Sequence, residues 1–172
     1  MIQKSLAHGL MLDLGLSFLN YMMNRYFDVA DINEQFPFLR VPIWDSYDWE
    51  TGTYTKFYSA SEASYFYDFP IGWWIGFGEK MCNEIKDCLM QHGGSKYLYG
   101  VLIHELKEKW GKLVFELDYN GLHGDYETIG DVEKIIEKYC KQSETTCIEC
   151  GRKGKIRANT WIAPYCDKCS EK

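Results

Sequence analysis

Four cysteines near the end of the chain have the spacing of metal ligands. They form two CxxC pairs, Cys147/Cys150 and Cys166/Cys169, with 15 residues between the pairs. A CxxC turn brings two sulfur atoms toward one ion, and Gly151, directly after the first pair, suits the tight turn of such a knuckle. This pattern predicts one Zn²⁺ held by four thiolates. The alternative is four unrelated cysteines that stay reduced.

A zinc ion with four cysteine ligands has no open coordination position for water or a substrate. The predicted site is therefore structural, not catalytic. In a unit of about 25 residues with few apolar side chains, metal binding contributes on the order of 10 kcal/mol to folding. The sequence thus predicts a C-terminal zinc ribbon that depends on its metal.

Other residues that could carry chemistry have no partner at a useful spacing. Cys82 and Cys88 are six residues apart on a predicted helix, whereas a helical ligand pair needs a spacing of three or four, so buried small side chains are the better interpretation. His104-Glu105 lacks the second histidine of a zinc protease motif. No phosphate-binding loop, nucleophile elbow or paired catalytic cysteine can be recognised. An enzyme is accordingly the least supported class.

Charge is distributed unevenly along the chain, whose formal net charge is −6. Residues 141–172 carry seven Lys/Arg and four Asp/Glu, which leaves −9 for residues 1–140. Four thiolates around one Zn²⁺ would reduce the surplus of the tail from +3 to about +1. The whole molecule therefore does not have the charge of a polyanion-binding protein. A local nucleic-acid contact remains an alternative, through the basic residues beside Trp161, which are Arg152, Lys153, Lys155 and Arg157.

Residues 36–69 contain twelve aromatic side chains. One interpretation is that these rings are buried in the core, which is the usual role of aromatic residues. The other is an acidic, aromatic binding surface, because five carboxylates lie among the rings. That second interpretation, together with a charged corner at KEKWG, gives a set of candidate interaction residues: Trp44, Tyr47, Asp48, Trp49, Lys107, Glu108, Lys109 and Trp110.

The elements that must position these residues can be predicted from periodicity. Residues 2–27 have apolar side chains at helical spacing, and WETGTYTKF predicts a hairpin around Thr51-Gly52. A second helix is predicted over residues 72–91, ended by His92-Gly93-Gly94. Residues 97–119 predict an antiparallel hairpin whose first strand suits a central position and whose connection is KEKWG. A last helix over residues 131–140 is predicted to be capped by Asp131.

These elements predict an α+β fold in which helices pack on a small antiparallel sheet, with a C-terminal four-cysteine zinc ribbon. The domain boundaries are expected at residues 1–142 for the body and 143–172 for the ribbon module. Asp13 interrupts the first apolar run, and the pieces on either side are too short to cross a bilayer. We therefore expect no membrane span and a cytoplasmic protein with reduced thiols.

The motifs also recur in a known order. GWW at residues 72–74 opens a helix, KEKWG at 107–111 continues as KLVFEL, and TCIECG is followed by Trp161-Ile162 and the second CxxC. This order resembles a group of small proteins encoded by phages and prophages, whose usual form is GDGW, helix, VKEKFGxLRF, helix, CExCG, GW and CxxC/H. The resemblance covers about residues 70–170. The arginine of that group is Val114 here, so its role cannot be carried over.

The resemblance implies a phage-related, zinc-containing α+β protein and no particular reaction. It also gives the shared residues structural roles: backbone geometry for Gly72 and Gly111, and packing over the ribbon for Trp73 or Trp110. KEKWG could equally be an exposed corner used in recognition.

The function expected from the sequence is stoichiometric binding to a host protein, such as a component of an antiviral defence system. Two alternatives stay open. One is a nucleic-acid-binding regulator that uses the basic ribbon loop. The other is a nucleotide-binding protein or enzyme with an aromatic pocket formed by residues 36–74. The sequence predicts no oligomeric state.

Overall fold

The structure is a computed structural model that describes residues 29–48, 53–58, 64–158 and 161–171. For residues 42–48 and 53–58 only the backbone is described. The helix predicted for residues 2–27 lies outside the described residues. Within them the fold is α+β, as predicted, with three two-stranded antiparallel sheets.

The first described segment leads into a hairpin. Helix α1 spans Val29–Gln35 and a 3-10 turn spans Pro37–Leu39. Strand β1, Pro42–Asp48, pairs with β2, Thr53–Tyr58. The predicted pairing on either side of Thr51-Gly52 is confirmed, and the connecting residues 49–52 lie outside the described part of the chain.

A long helical segment, α2, forms the centre of the body. It consists of an α-helical turn at Ile71–Trp73, a π-helical turn at Trp74–Gly78 and an α-helix at Glu79–Leu98. The predicted helix is confirmed, and its predicted stop is a break at Gly94, where φ is +62° and ψ is −153°. One further turn follows this break, so the helical segment extends beyond the predicted end.

The second hairpin and the last long helix complete the body. Strand β3, Leu102–Lys109, pairs with β4, Lys112–Asp118, as predicted. The expectation of a central strand beginning near residue 97 is wrong, because residues 97 and 98 still belong to α2 and the sheet has two strands. Helix α3 spans Tyr126–Ser143 and packs against β4 and α2.

The predicted cap of α3 is also wrong. The helix begins five residues before Asp131, and its N-cap is Asp125, whose Oδ1 accepts a hydrogen bond from Thr128 N at 3.1 Å. Exposed Tyr126 and Glu127 occupy the first turn, so the apolar periodicity of the helix starts only further along. A capping carboxylate followed by polar residues was the signal for the earlier start.

Aromatic side chains make up much of the core between α2 and the preceding segment. The Trp74 ring meets Phe66 edge-on at 4.6 Å between centroids, with Phe69 at 5.7 Å and Phe36 at 6.3 Å. Phe36, Phe38, Phe66 and Phe69 are all almost completely buried. For these rings the burial interpretation is confirmed, while Tyr67 is about half exposed.

The C-terminal unit is a small hairpin followed by one helical turn. Strand β5, Lys155–Ala158, pairs with β6, Ile162–Tyr165, and helix α4 spans Asp167–Ser170. Over the described ranges, no helix is both long and apolar enough to cross a membrane.

Candidate metal centre

The four predicted ligands come together. The sulfur atoms of Cys147, Cys150, Cys166 and Cys169 all lie within 4.8 Å of one another, and each cysteine is at least nine-tenths buried. Two pairs of thiols that converge in this way form a group that could hold one metal ion. The sequence prediction of these four residues as one cluster is therefore confirmed by the geometry.

Short backbone turns place the sulfurs. Gly151 N donates to Cys147 O at 3.0 Å, and Cys147 N donates to Arg152 O at 2.7 Å, which closes the first knuckle. Gly151 adopts φ +73°, a conformation that glycine accepts without strain. The second knuckle is closed by Cys169 N, which donates to Cys166 O at 3.2 Å.

A guanidinium group lies against the thiols. Arg152 Nε is 3.3 Å from Cys150 Sγ, and its Nη2 is 3.5 Å from Cys166 Sγ. Burial by itself raises the pKa of the Cys150 thiol, but hydrogen bonds from Arg152 and from neighbouring groups outweigh it and lower the pKa to about 7. Burial raises the pKa of Cys147 and Cys169. The Arg152 guanidinium thus favours the thiolate form of Cys150. A bound metal ion would have to favour the thiolate form of the other cysteines.

The donor set fits a soft, tetrahedrally coordinated metal. Four thiolates in a closed group offer sulfur only, a set that suits Zn²⁺ or another thiophilic ion and does not suit Mg²⁺ or Ca²⁺. All four positions of a tetrahedron would be filled by protein atoms. The site can therefore hold the local chain together, and it has no position left for a substrate.

The first knuckle docks directly on the start of α2. Gly72 N donates to Ile148 O at 2.8 Å, and Trp73 Nε1 donates to Thr146 O at 2.8 Å, with the Trp73 side chain fully buried. A Cβ added at Gly72 would lie 2.3 Å from Cys147 O. The predicted roles of Gly72 and Trp73 are confirmed: the glycine permits backbone contact, and the tryptophan anchors the ribbon.

The π-helical turn contributes to the same junction. A Cβ at Gly76 would lie 2.7 Å from Thr146 Cγ2, and a Cβ at Gly151 would lie 2.8 Å from Gly76 N. Two backbones therefore pass each other here with glycine on both sides. Sequence reasoning expected Trp73 or Trp110 to pack over the ribbon but missed this contact between Gly76 and Gly151, although the glycines near GWW and in CxxCG were its signal.

The tip of the β3–β4 hairpin forms a second junction with the ribbon. A Cβ at Gly111 would lie 2.5 Å from Ile156 Cδ1 and 3.4 Å from Ala163 Cα. Glu108 joins the two units, because its Oε2 accepts from Trp161 Nε1 at 2.8 Å and its Oε1 accepts from Gly111 N. The predicted backbone role of Gly111 is confirmed, and Glu108 is a bridging residue.

The basic residues of the ribbon loop are less available than the sequence indicates. Arg152 faces the thiols, and Arg157 pairs with Asp167 and donates to Tyr165 O. Lys153 and Lys155 are exposed, and neither makes an ion pair with any residue that the structure describes. Two of the four charges proposed for nucleic-acid contact are therefore engaged inside the ribbon.

The candidate interaction residues fall into two groups. Trp44, Tyr47 and Asp48 lie on β1, where the structure describes the backbone alone, and Trp49 lies outside the described residues. The second group, Lys107, Glu108, Lys109 and Trp110, lies at the end of β3, and Trp110 is 72% exposed. Only the second group therefore has side chains that the structure describes.

The remaining cysteines do not resemble catalytic thiols. Burial raises the pKa of Cys82, Cys88 and Cys140. His92 follows Cys88 by one turn, and its Nε2 is 3.8 Å from Asp131 Oδ2, which is too long for a hydrogen bond. A reactive cysteine requires a lowered pKa, so the packing interpretation of these residues is the better one.

Comparisons of this chain with protein-family models, with curated proteins and with solved structures found no match. Its function therefore has to be inferred from the metal centre and from the surface around it.

Proposed function

We propose that this chain is a phage-type, zinc-containing interaction protein that acts in the host cytoplasm by stoichiometric binding to a host protein, such as a component of an antiviral defence system. The observation that carries the proposal is the closed four-cysteine group of a ribbon that hydrogen bonds fix to the body and that carries the exposed Trp161. Such a centre fixes surface side chains on rigid elements, which is what a binding protein needs.

Zinc is the ion that best suits the proposed centre. It accepts four thiolates without a geometric penalty, is not redox-active, and is the usual ion of two CxxC knuckles. Arg152, which donates to two of the sulfurs, offsets part of the −2 charge that such a centre carries. The resemblance to the phage proteins with CxxC/H pairs supports the same choice.

Charge supports a protein partner that normally binds nucleic acid. The chain has a net charge of −6, with the excess of carboxylates before residue 141. An acidic protein of this size is electrostatically suited to a basic channel. The motif resemblance directs the search for that partner to the host of a phage.

The test is purification of the tagged, full-length protein from host cells that carry defence systems. The expected result is one zinc per chain and a partner that co-elutes at a fixed ratio in size-exclusion chromatography. A variant with Cys147→Ser and Cys150→Ser is the matched control and should lose both zinc and partner. Recovery of zinc-loaded protein without any specific partner would refute the proposed function.

A further inference from the structure

The side chain of Arg152 connects the two knuckles of the metal centre. Its Nε donates to Cys150 Sγ of the first knuckle at 3.3 Å, and its Nη2 donates to Cys166 Sγ of the second at 3.5 Å. Nε and Nη2 lie on one edge of the planar guanidinium, so a single side chain can contact two acceptors at once. The two Sγ atoms are 3.6 Å apart. Arg152 therefore spans one edge of the four-cysteine group.

The backbone around Arg152 is already fixed by the first knuckle. Arg152 O accepts from Cys147 N at 2.7 Å, and Gly154 N donates to Thr145 O at 2.8 Å. The backbone N–H of Arg152 also donates to the sulfur of Cys150. Because the main chain is held on both sides, placing the guanidinium against the sulfurs costs only the entropy of the side chain.

The guanidinium interacts with sulfur and not with a carboxylate. Within the part of the chain that the structure describes, the groups that act on its charge are the thiols of Cys150, Cys166 and Cys169. The other arginine of the ribbon differs, because Arg157 pairs with Asp167. Arg152 is thus directed at the metal centre, although the residue is exposed to solvent.

The charge of the proposed centre explains what this contact would do. Four thiolates around Zn²⁺ carry a net charge of −2, in a chain whose formal net charge is already −6. Hydrogen bonds from a cation offset negative charge at the sulfurs themselves. Groups that hydrogen-bond to metal ligands also fix the orientation of those ligands, and their loss typically lowers metal affinity by about 10- to 100-fold.

The alternative role of Arg152 is a contact with the phosphates of a nucleic acid. Paired recognition of phosphate uses two N–H groups on one edge of the guanidinium, and on the Nε–Nη2 edge both are directed at sulfur. The neighbouring Lys153 and Lys155 are exposed and do not contact the sulfurs in this way. The geometry therefore favours a role of Arg152 at the metal centre.

We propose that Arg152 is a positioning residue of the metal centre: by donating to one sulfur from each knuckle, it holds the knuckles together and raises the affinity of the four cysteines for zinc. This inference rests on the zinc ion of the proposed function and adds a fifth residue to its site. Solvent weakens the electrostatic contribution of an exposed cation. The effect should therefore lie at the lower end of the range for such residues.

The test compares zinc binding by the full-length protein and by three variants. Arg152→Ala removes the charge and both N–H donors, whereas Arg152→Lys keeps the charge and loses the paired donors. Lys153→Ala is the matched control, because it removes an adjacent, exposed charge. Competition with a chromophoric chelator should show zinc binding about tenfold weaker in Arg152→Ala. We expect an intermediate loss in Arg152→Lys, and Lys153→Ala should stay within about twofold of the wild type.

A cobalt spectrum distinguishes this role from a purely structural one. Co²⁺ loaded in place of zinc gives d–d bands that report a tetrahedral site and a sulfur-to-metal charge-transfer band. Hydrogen bonds to the sulfurs tune the electronic structure of metal–sulfur centres. In Arg152→Ala the sulfurs become more electron-rich, so the charge-transfer band should move to lower energy while the tetrahedral d–d bands remain. Lys153→Ala should leave the charge-transfer band in place.

Several outcomes would overturn the inference. If the wild type and Arg152→Ala bind zinc equally tightly, or if the charge-transfer band does not move, the proposed centre stands and the role of Arg152 is wrong. An equal loss in Arg152→Ala and Lys153→Ala would assign the effect to net charge and would also refute it. If Arg152→Ala does not fold, Arg152→Lys decides, because wild-type affinity and an unshifted band in that variant would refute the paired contact.

The proposed function can fail separately from this inference. Absence of a host partner would refute the proposed binding function and leave the zinc and cobalt measurements unaffected. If the wild-type protein binds no zinc, the proposed centre fails and the role of Arg152 fails with it.

Discussion

The body and the C-terminal ribbon are held together by different forces. In the body, rings such as Phe66, Trp73 and Trp74 are at least 96% buried and form one apolar cluster. In the ribbon, the buried cluster consists of the four cysteines, with Tyr165 packed beside it. Apolar burial can stabilise the first region, whereas the second has too little of it and would need a metal ion held by the four cysteines.

This difference explains why the junctions between the regions rely on glycines and hydrogen bonds, together with Ile148 of the first knuckle, which packs against the apolar cluster of the body. A unit without an apolar core offers its neighbour backbone atoms, and glycine at positions 72, 76 and 111 lets those atoms approach. Trp73 contributes both to the body, through its ring, and to the ribbon, through Nε1. The ribbon is thus fixed to the body at points where a side chain would prevent contact.

The largest expected effect is the loss of the metal ligands. Cys147→Ser with Cys150→Ser, or removal of zinc by a chelator, should remove on the order of 10 kcal/mol of metal-binding free energy. Hydrogen exchange measured by mass spectrometry should then show residues 145–171 unprotected while α2 and α3 stay protected. Cys88→Ser, a cysteine outside the cluster, is the matched control and should keep the metal. Continued protection of residues 145–171 without metal would show that the ribbon does not depend on it.

A substitution in the core of the body should destabilise the body and leave metal binding by the ribbon unchanged. Phe66→Ala removes a fully buried ring that packs 4.6 Å from Trp74, and it should lower the free energy of unfolding by about 3–5 kcal/mol. Zinc content in the folded protein should not change. Urea unfolding with a metal assay measures both, and Tyr67→Ala, the exposed neighbour, should cost less than about 0.5 kcal/mol. Equal costs for the two variants would contradict the core described above.

A substitution at the junction should affect the contact between the regions. In Gly72→Ala the new Cβ would meet Cys147 O and Ile148, and such overpacking costs about 1–3 kcal/mol. The control is Gly130→Ala, which has open space around it on α3 and should be stabilising by up to about 1 kcal/mol. Thermal unfolding distinguishes the two variants. If both substitutions are stabilising, the first knuckle does not pack against Gly72.

The smallest expected effect is a gain in stability at the hairpin tip. Trp110→Asn replaces a bulky residue at φ +56° with one that tolerates this conformation and should raise the free energy of unfolding by about 1 kcal/mol. Trp161→Asn, which breaks the hydrogen bond to Glu108, should not be stabilising. A loss of stability in Trp110→Asn would show that the indole serves the fold and not a partner.

Local patterns were the part of this structure that could be predicted from the sequence. The cysteine cluster could be predicted from the spacing of Cys147, Cys150, Cys166 and Cys169, because the sulfurs of a CxxC turn converge through local backbone geometry. Strand β4 could likewise be predicted from the alternation of Leu113, Phe115 and Leu117, and all three side chains are buried. Both patterns depend on neighbours within a few residues of each other.

Long-range contacts could not be predicted in the same way. Trp73 and Thr146 are 73 positions apart, and no periodicity connects them. The exposure of Trp110 was also open, since a tryptophan beside a glycine suits packing and recognition equally well. The first turn of α3 was missed because its residues Tyr126 and Glu127 are exposed and do not belong to the apolar pattern of the helix. Asp125, however, is a residue type that favours the N-cap position.

The proposed function depends on the proposal that the four cysteines hold one zinc ion in a closed, structural centre. X-ray absorption spectroscopy on the protein as purified, together with its metal content, tests this most directly. We expect one zinc per chain with four sulfur neighbours at about 2.3 Å and no lighter ligand. A protein that folds without metal, or a zinc ion with an oxygen or nitrogen neighbour in place of one sulfur, would contradict it.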